Sequence, residues 1–224
     1  MSNTSPISRV TRSREEARAS YDKMSGWYDL PAGLSEKKYK DMGLQILDIQ
    51  NGEQVLEVGF GTGQCLLKMV ECAGETGGIF GVDLSPGMLE VAQAKLHKAG
   101  IGDSVEICLG DAAELPYADN SFDAVYSSFT LELFDPPEIP VVLSACQRVL
   151  KPGGRLCIVS MSKKSQSSVM VKLYEWTQKN FNKYVDCRPI YVEKSLRDNG
   201  YVIQSVTEMS MFGLPVDIVL AKNE

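Results

Sequence analysis

Residues 55–73 read VLEVGFGTGQCLLKMVECA and join an apolar strand, a glycine-rich turn and a helix. The strand, predicted at 55–58, has a β-branched valine at each end and stops at Gly59. Glycine returns at positions 61 and 63, so the backbone can turn sharply and a ligand can approach it without meeting a Cβ. In open α/β sheets, ligands bind beyond the carboxyl ends of the strands, where this turn lies.

From this stretch outward, predicted strands and helices alternate along the chain. Strands are predicted at 55–58, 77–82, 105–109, 122–127 and 155–160, with helices at 63–73, 86–98 and 138–149 between them. This alternation predicts an α/β fold with a Rossmann-like, doubly wound and mostly parallel sheet. Strands at 201–207 and 216–221 are joined by a short connection, so an antiparallel C-terminal hairpin should complete a seven-stranded sheet. A short helix is predicted from residue 15 to near Ser25-Gly26, followed by an aromatic loop up to residue 30, and further helices are predicted at 35–49, 166–183 and 190–199.

Composition limits the kinds of partner. A net charge of −6 over 224 residues disfavours a nucleic-acid binder, which presents a basic surface to phosphates. No apolar run approaches the ~20 residues of a membrane span, and the N-terminus has no apolar core of a secretory signal. The six cysteines form no CxxC pair, so we expect reduced thiols in the core, no metal site and a cytoplasmic protein. Peripheral contact with a membrane stays open.

The glycine spacing separates the kinds of ligand. A dinucleotide fold needs G-x-G-x-x-G, but position 64 is Gln and the third glycine comes one residue early. The loop also lacks the Lys-Ser/Thr of a phosphate-binding P-loop. What remains is a G-x-G-x-G pattern after the acidic Glu57. Taken alone, such a loop fits a ligand-binding turn and a tight turn without a ligand equally well.

EVGFGTG at 57–63 resembles the first motif of the class I methyltransferases that depend on S-adenosylmethionine (SAM). In that family the loop holds the methionine portion of SAM, which leaves as S-adenosylhomocysteine (SAH). The resemblance therefore implies a cofactor contact at Glu57, Gly59, Phe60, Gly61 and Gly63.

The resemblance continues in register along the chain. GVDLS at 81–85 ends the second strand with Asp83, twenty residues beyond Gly63, and implies a carboxylate that accepts both ribose hydroxyls. GDA at 110–112 follows the third strand, and DNSFDAVYSSF at 119–129 matches the fourth strand and its exit. RVLKPGG at 148–154 matches the end of a helix and the turn after it, and this segment is assigned no chemical role. The implied cofactor contacts in these segments are Asp83, Leu84, Asp111, Ala112 and Ser127, and Met88 shortly after the second strand is implied as a further contact.

The resemblance also gives a domain plan. It implies one methyltransferase domain over 1–224, with an N-terminal helical cap segment at 1–50 and a SAM-binding core at 51–162. Residues 163–224 would then supply a lid helix and the C-terminal strands. Methyl transfer is an in-line displacement at an activated sulfonium carbon, so the protein contributes mainly proximity and alignment.

A general base is needed only if the acceptor loses a proton. Its candidates are Tyr21, Tyr28, Glu132 and Asp135, and none is assigned. YDKMSGWYD at 21–29 resembles the opening of the ubiquinone/menaquinone C-methyltransferase group, which implies a quinol, phenolic or other apolar small molecule and places Tyr21 at the cofactor. The only histidine, His97, is predicted far along a helix and exposed.

Other functions stay open. The Asn/Asp-Pro-Pro-Tyr/Phe motif of amino-methylases is missing after the fourth strand, which disfavours methylation of nucleic acids or protein amides. An N-methyltransferase acting on an amine or phospholipid headgroup is an alternative, and so is a SAM-binding protein without catalysis. An arsenite methyltransferase would need clustered thiols, and a nicotinamide oxidoreductase fails on the glycine spacing. The protein could be a monomer or a homodimer.

Overall fold

The computed structural model describes residues 7, 9, 15, 16, 18, 19, 22, 32–163 and 188–224. The helix predicted at 166–183 lies outside these residues, as does most of the short helix predicted to end near Ser25-Gly26. The described helices are α1 (Ala32–Leu47), α2 (Gln64–Ala73), α3 (Pro86–Lys98), α4 (Ile139–Val149) and α5 (Val192–Asp198). The described strands are β1 (Gln54–Val58), β2 (Gly78–Asp83), β3 (Val105–Leu109), β4 (Phe122–Ser128), β5 (Leu150–Met161), β6 (Val202–Met211) and β7 (Leu214–Lys222).

In the described part of the chain, the strands form one sheet in the order β3-β2-β1-β4-β5-β7-β6. The first five pair in parallel, whereas β7 runs antiparallel to both β5 and β6. The predicted doubly wound, mostly parallel sheet of seven strands with an antiparallel hairpin is therefore confirmed. Strand order reverses at β1, because the chain proceeds outward to β3 and then returns to β4. The carboxyl ends of β1 and β4 consequently flank the crevice where such folds bind ligands.

Helices cover both faces of the sheet. α1, α2 and α3 contribute Leu47, Leu66 and Leu96 to a buried cluster on one face. α4 and α5 pack on the other face, through residues such as Leu143 and Leu196. Among the described residues, no helix has the length and apolar character needed to cross a membrane.

Helix α1 lies unusually close to the sheet. A Cβ added to Gly43 would come within 2.6 Å of Val159 Cγ2 on β5 and 2.8 Å of the Tyr126 hydroxyl on β4. That hydroxyl donates a hydrogen bond to the main-chain oxygen of Lys40 at 3.0 Å. Glycine at position 43 and this hydrogen bond together fix the turn of α1 that carries Lys40.

The Lys-Pro-Gly-Gly segment at 151–154 was predicted to form a turn before the fifth strand, but in the structure it lies within that strand. β5 already begins at Leu150, which pairs with Phe122, and pairing then resumes five residues further on between Ala124 and Arg155. The extra residues bulge out of the ladder, with Gly153 at φ +75°. Their backbone is bonded to Asn223, which accepts from Gly153 N at 2.7 Å. The C-terminal strand thus holds the bulge within β5.

Candidate active site

A cavity opens at the carboxyl ends of β1, β2 and β4, at the crevice that the strand order creates. Most of the residues predicted to contact a cofactor line it: Glu57, Gly59, Phe60, Gly61, Asp83, Leu84, Met88, Asp111 and Ala112. Two predicted residues, Gly63 and Ser127, are described but do not line it. Tyr21 lies outside the described residues.

The three glycines of the loop have two different structural roles. Gly59 has φ +77°, and a Cβ there would lie 2.3 Å from Thr130 Oγ1, so the loop packs against the segment after β4. Gly61 has φ +52°, but a Cβ there would meet nothing within 4 Å, because the position faces the open cavity. Gly63 is the N-cap of α2 at φ +76° and packs against Ala92. The first and third glycines therefore serve packing, and the second leaves room beside the backbone.

Asp83 fastens the glycine loop to the end of β2. Its Oδ2 accepts a hydrogen bond from Gly61 N at 2.8 Å, and its Oδ1 accepts from Ser85 N at 2.9 Å. Burial raises the pKa of Asp83, although these two backbone amides act to lower it. The side chain lines the cavity, so a carboxylate predicted only as a ribose contact also holds the loop.

The start of α3 adjoins Asp83. Ser85 Oγ caps the helix by accepting from Met88 N at 3.1 Å, as Ser before Pro in the sequence predicts. Asp22, from the N-terminal segment, accepts from Ser85 Oγ at 2.6 Å and from Gly87 N at 3.0 Å. The hydrogen bond from Ser85 is the main cause that lowers the pKa of Asp22. The N-terminal segment thus reaches the rim of the cavity beside Asp83.

Glu57 is a buried acid that lines the cavity. It is 1% exposed, and burial raises its pKa from 4.5 to about 8, while the Lys40 ammonium and the Cys65 thiol act in the opposite direction. Among the described residues, its Oε2 has no hydrogen-bond partner. A buried carboxylate oxygen without a partner costs free energy, so this oxygen suits a donor on a ligand.

At the exit of β4, the structure places Ser128 rather than Ser127 at the cavity. Ser127 Oγ donates to Val58 O at 2.9 Å and joins β4 to β1. Neighbouring residues of a strand face opposite sides of the sheet. A prediction that is shifted by one residue along the strand therefore selects the wrong serine. Phe129 follows at φ +52°, held by a hydrogen bond from its N to Val159 O at 2.8 Å. Such strained positions concentrate at functional sites.

Neither of the described candidates for a general base lines this cavity. Tyr21 and Tyr28 lie outside the described residues. Asp135 forms an ion pair with Arg9 at 2.7 Å. Glu132 is fully buried but does not line the cavity, and its Oε1 accepts from Met161 N at 3.2 Å. Burial raises its pKa from 4.5 to about 7.

The free energy of unfolding without ligand should fall between about pH 5 and pH 8, with Glu132 as one cause. Its pKa is higher in the folded than in the unfolded chain, so the folded state binds more protons in this window and loses stability as they leave. For Glu132 the loss amounts to roughly 3 kcal/mol. Glu132→Gln should flatten the decline, measured as melting temperature against pH by circular dichroism. Glu71→Gln, at an exposed position of α2, should keep the wild-type slope; equal slopes in all three proteins would contradict this prediction.

The cysteines and His97 differ in how deeply they are buried. Cys65, Cys146 and Cys157 are buried as expected, but Cys72 is exposed. Cys108 is partly buried and packs against the core, and Cys187 lies outside the described residues. The described cysteines are all free thiols. His97 is exposed in the last turn of α3, as predicted.

Comparison with known proteins decides the family. A family model described as a methyltransferase domain matches residues 55–154, which include the glycine loop, Asp83 and Asp111. Demethylmenaquinone methyltransferase from Bacillus velezensis is 34% identical over 148 residues, which are 66% of this chain and 61% of that protein. The chain belongs to the class I SAM-dependent methyltransferases. The predicted family is confirmed, and with it SAM as the cofactor of that family.

Solved structures share the fold of this chain. A SAM-dependent methyltransferase from Aquifex aeolicus superimposes with a TM-score of 0.69 at 23% identity, over 91% of this chain and 98% of that one. The [4+2]-cyclase SpnF superimposes with a TM-score of 0.79 at 19% identity, over 98% and 99%. At these identities the similarity establishes the fold alone.

The alignment with the curated methyltransferase is partial. The chain covers 61% of that protein's length. The family and the fold are therefore shared, whereas the relative's activity and methyl acceptor do not follow from the match.

Several residues that line the cavity could not be predicted from the sequence of this chain. Lys40 lines the cavity from α1, seventeen residues before Glu57 in the chain. Thr130 and Ser128 lie just beyond a predicted strand end, where only the register of β4 against β1 decides which side chains face the cavity. A lysine on a helix with periodic apolar residues looks like a solvated side chain until the packing of that helix is known.

Proposed function

We propose that the chain transfers a methyl group from SAM to a small-molecule acceptor with an aromatic or apolar body, of the quinol or phenol class. The observation that carries this proposal is the convergence of three features on one cavity. These are the open space beside Gly61, the Asp83 carboxylate that ends β2, and the partnerless oxygen of Glu57.

The residues present fit SAM. The backbone at Gly61 accepts close approach because no side chain occupies the space beside it. Glu57 offers a buried acceptor to an ammonium donor, and Asp83 offers lone pairs to hydroxyl donors. Asp111, Ala112 and their neighbours would hold the adenine. When bound, SAM supplies a methyl group on a sulfonium carbon that is already activated, so the chain's own residues need only orient it, align the acceptor and exclude water.

The acceptor side supports an apolar substrate. Phe129, Leu133 and Phe134 line the cavity beyond β4, next to the hydroxyls of Ser128 and Thr130. Aromatic and aliphatic walls with few hydroxyl groups suit a ring that carries one or two polar substituents. A relative named for demethylmenaquinone methylation adds to this inference.

The experiment has two stages. Calorimetric titration with SAM and with SAH comes first, and we expect binding of both. Transfer of radiolabelled methyl from SAM to simple quinols and phenols, and to amines and phosphoethanolamine lipid vesicles, follows. Labelled quinol or phenol supports the proposal. Label only on amines or headgroups would favour the alternative N-methyltransferase, and tight binding without transfer to any acceptor would favour a SAM-binding protein without catalysis.

The organisation of the chain is part of the proposal. We infer one domain over 1–224, with 1–50 as a cap and 163–224 as a lid helix and C-terminal strands around the SAM-binding core at 51–162. Hydrogen bonds from Ser85 and Gly87 to Asp22 support the cap. We also infer that the protein is cytoplasmic, and the free thiols of Cys146 and Cys157 support this inference. Light scattering separates monomer from homodimer, and co-sedimentation with vesicles tests peripheral membrane contact.

A further inference from the structure

One short stretch of the chain forms the side of the cavity beyond β4. Residues 129–134, the acceptor wall, contribute the side chains of Phe129, Leu133 and Phe134 to the lining. A single turn of 3₁₀ helix, Leu131–Leu133, lies within this stretch. So short a helix has few hydrogen bonds of its own. Contacts with the rest of the fold therefore fix the position of the acceptor wall.

A buried arginine holds the main chain of the acceptor wall. Arg188 is 7% exposed, and its Nη2 donates to Phe134 O at 2.6 Å and to Glu132 O at 3.3 Å. A terminal guanidinium nitrogen carries two hydrogens, so it can serve two carbonyl oxygens at once. Because both oxygens belong to the acceptor wall, Arg188 fixes the place at which Phe134 lines the cavity.

Arg188 is itself anchored to the end of β5. Two residues further on, Ile190 N donates to Met161 O at 3.0 Å, and Ile190 O accepts from Lys163 N at 3.0 Å. Ile190 is fully buried. From the acceptor wall, Glu132 Oε1 accepts from Met161 N at 3.2 Å. The segment that carries Arg188 and the acceptor wall are therefore bonded to the same end of β5.

We propose that Arg188 is a positioning residue for methyl transfer, because its guanidinium sets the place of Leu133 and Phe134 against the acceptor. This rests on the proposed function, since it concerns the side of the cavity assigned to the acceptor. Arg188 does not line the cavity, so it acts only through the acceptor wall. Methyl transfer requires the acceptor atom in line with the sulfonium carbon, and a misplacement of ~1 Å can lower the rate by on the order of 100-fold.

The kinetic test uses Arg188→Met, which keeps an unbranched side chain but removes every donor. Methyl transfer from SAM to 1,4-naphthoquinol is measured, together with calorimetric binding of SAH. We expect kcat/KM for the quinol to fall roughly 10- to 100-fold, since the acceptor is aligned less well. The KM for SAM and the affinity for SAH should stay as in the wild type. A merely destabilised protein would not divide its losses between the two substrates in this way.

A second measurement does not depend on the acceptor. Labelling with 4-fluorophenylalanine gives each phenylalanine a ¹⁹F NMR signal, and Phe134→Leu identifies the signal of Phe134 by its loss. In Arg188→Met this signal should shift and broaden, because the carbonyl of Phe134 has lost its donor. The signal of Phe122, which is 2% exposed in the core and is identified in the same way, should keep its position and width.

Two further variants separate positioning from a general loss of stability. Arg155 also donates to main-chain oxygens, Leu47 O at 3.0 Å and Asp48 O at 3.3 Å, but it lies far from the cavity, near the amino end of β4. Arg155→Met should lower the melting temperature and leave both the Phe134 signal and the kinetics unchanged. Arg188→Lys keeps the charge without the planar fork, so it should show the changes of Arg188→Met to a smaller extent. It replaces that variant if Arg188→Met does not fold.

The outcomes separate this proposal from the proposed function. A wild type that transfers methyl to no acceptor overturns the proposed function, whereas the ¹⁹F signal of Phe134 still decides whether Arg188 fixes the acceptor wall. A Phe134 signal that is the same in Arg188→Met and the wild type overturns the role of Arg188, and so does an unchanged kcat/KM for the quinol. Weaker binding of SAH together with shifts of all phenylalanine signals would also overturn it, because that pattern marks a general distortion of the fold.

Discussion

Replacement of Gly61 by valine is expected to abolish SAM binding while the sheet stays folded. A Cβ at this position meets no atom of the protein within 4 Å, so the valine methyl groups would project into the cavity where a ligand must approach the backbone. We expect a loss of more than about 100-fold in affinity, since a steric overlap with a rigid ligand exceeds ~3 kcal/mol. Calorimetric titration with SAM and SAH measures it.

Backbone strain needs its own control, because Gly61 has φ +52° and valine is disfavoured there. Gly153 has φ +75° and also shows nothing within 4 Å of an added Cβ, but it lies in the bulge of β5 rather than at the cavity. The melting temperature of Gly153→Val should therefore decrease about as much as that of Gly61→Val, but Gly153→Val should bind SAM normally. Gly61→Ala, with a smaller side chain, should bind SAM at an intermediate affinity. Normal SAM binding by a folded Gly61→Val protein would remove the loop from the cofactor site.

Loss of the Asp83 carboxylate should lower both affinity and stability. Asp83→Ala removes the acceptor for Gly61 N and Ser85 N, and we expect the free energy of unfolding to fall by about 2 kcal/mol. SAM binding should weaken by ~1–3 kcal/mol, the cost of a lost charge-assisted contact. Thermal unfolding without ligand gives the first quantity, and calorimetry gives the second.

A comparison of ligands separates the two roles of Asp83. If the carboxylate accepts from ribose hydroxyls, the wild type should bind SAH more tightly than 2′-deoxy-SAH, and Asp83→Ala should bind the two alike. Asp83→Asn keeps one acceptor oxygen, so it should lose less stability than the alanine variant. If the preference for the 2′-hydroxyl persists in Asp83→Ala, the residue holds the loop but does not bind the ribose.

Local signals in the chain were sufficient for much of the fold. Helix α3 was predicted at its observed bounds, Pro86–Lys98, because Ser85 caps it and Pro86 begins it. Asp83 and Asp111 were found because Asp83 ends β2 and Asp111 lies two residues beyond β3, and parallel strands bring their carboxyl ends to one edge of the sheet. The bulge within β5 was missed because its hydrogen bonds run to Asn223, which is about seventy residues away in the chain.

The amino-acid sequence by itself determined the order of strands and helices, the glycine loop and the acids at the carboxyl ends of β2 and β3, since each depends on contacts between near neighbours. Only the tertiary structure decided that Ser128 rather than Ser127 faces the cavity, that Asp83 holds the loop, and that Lys40 reaches the cavity wall. These facts depend on strand register and on the distance of α1 from the sheet. Pairing across the sheet and the packing of Gly43 set both, and no pattern along the chain records them.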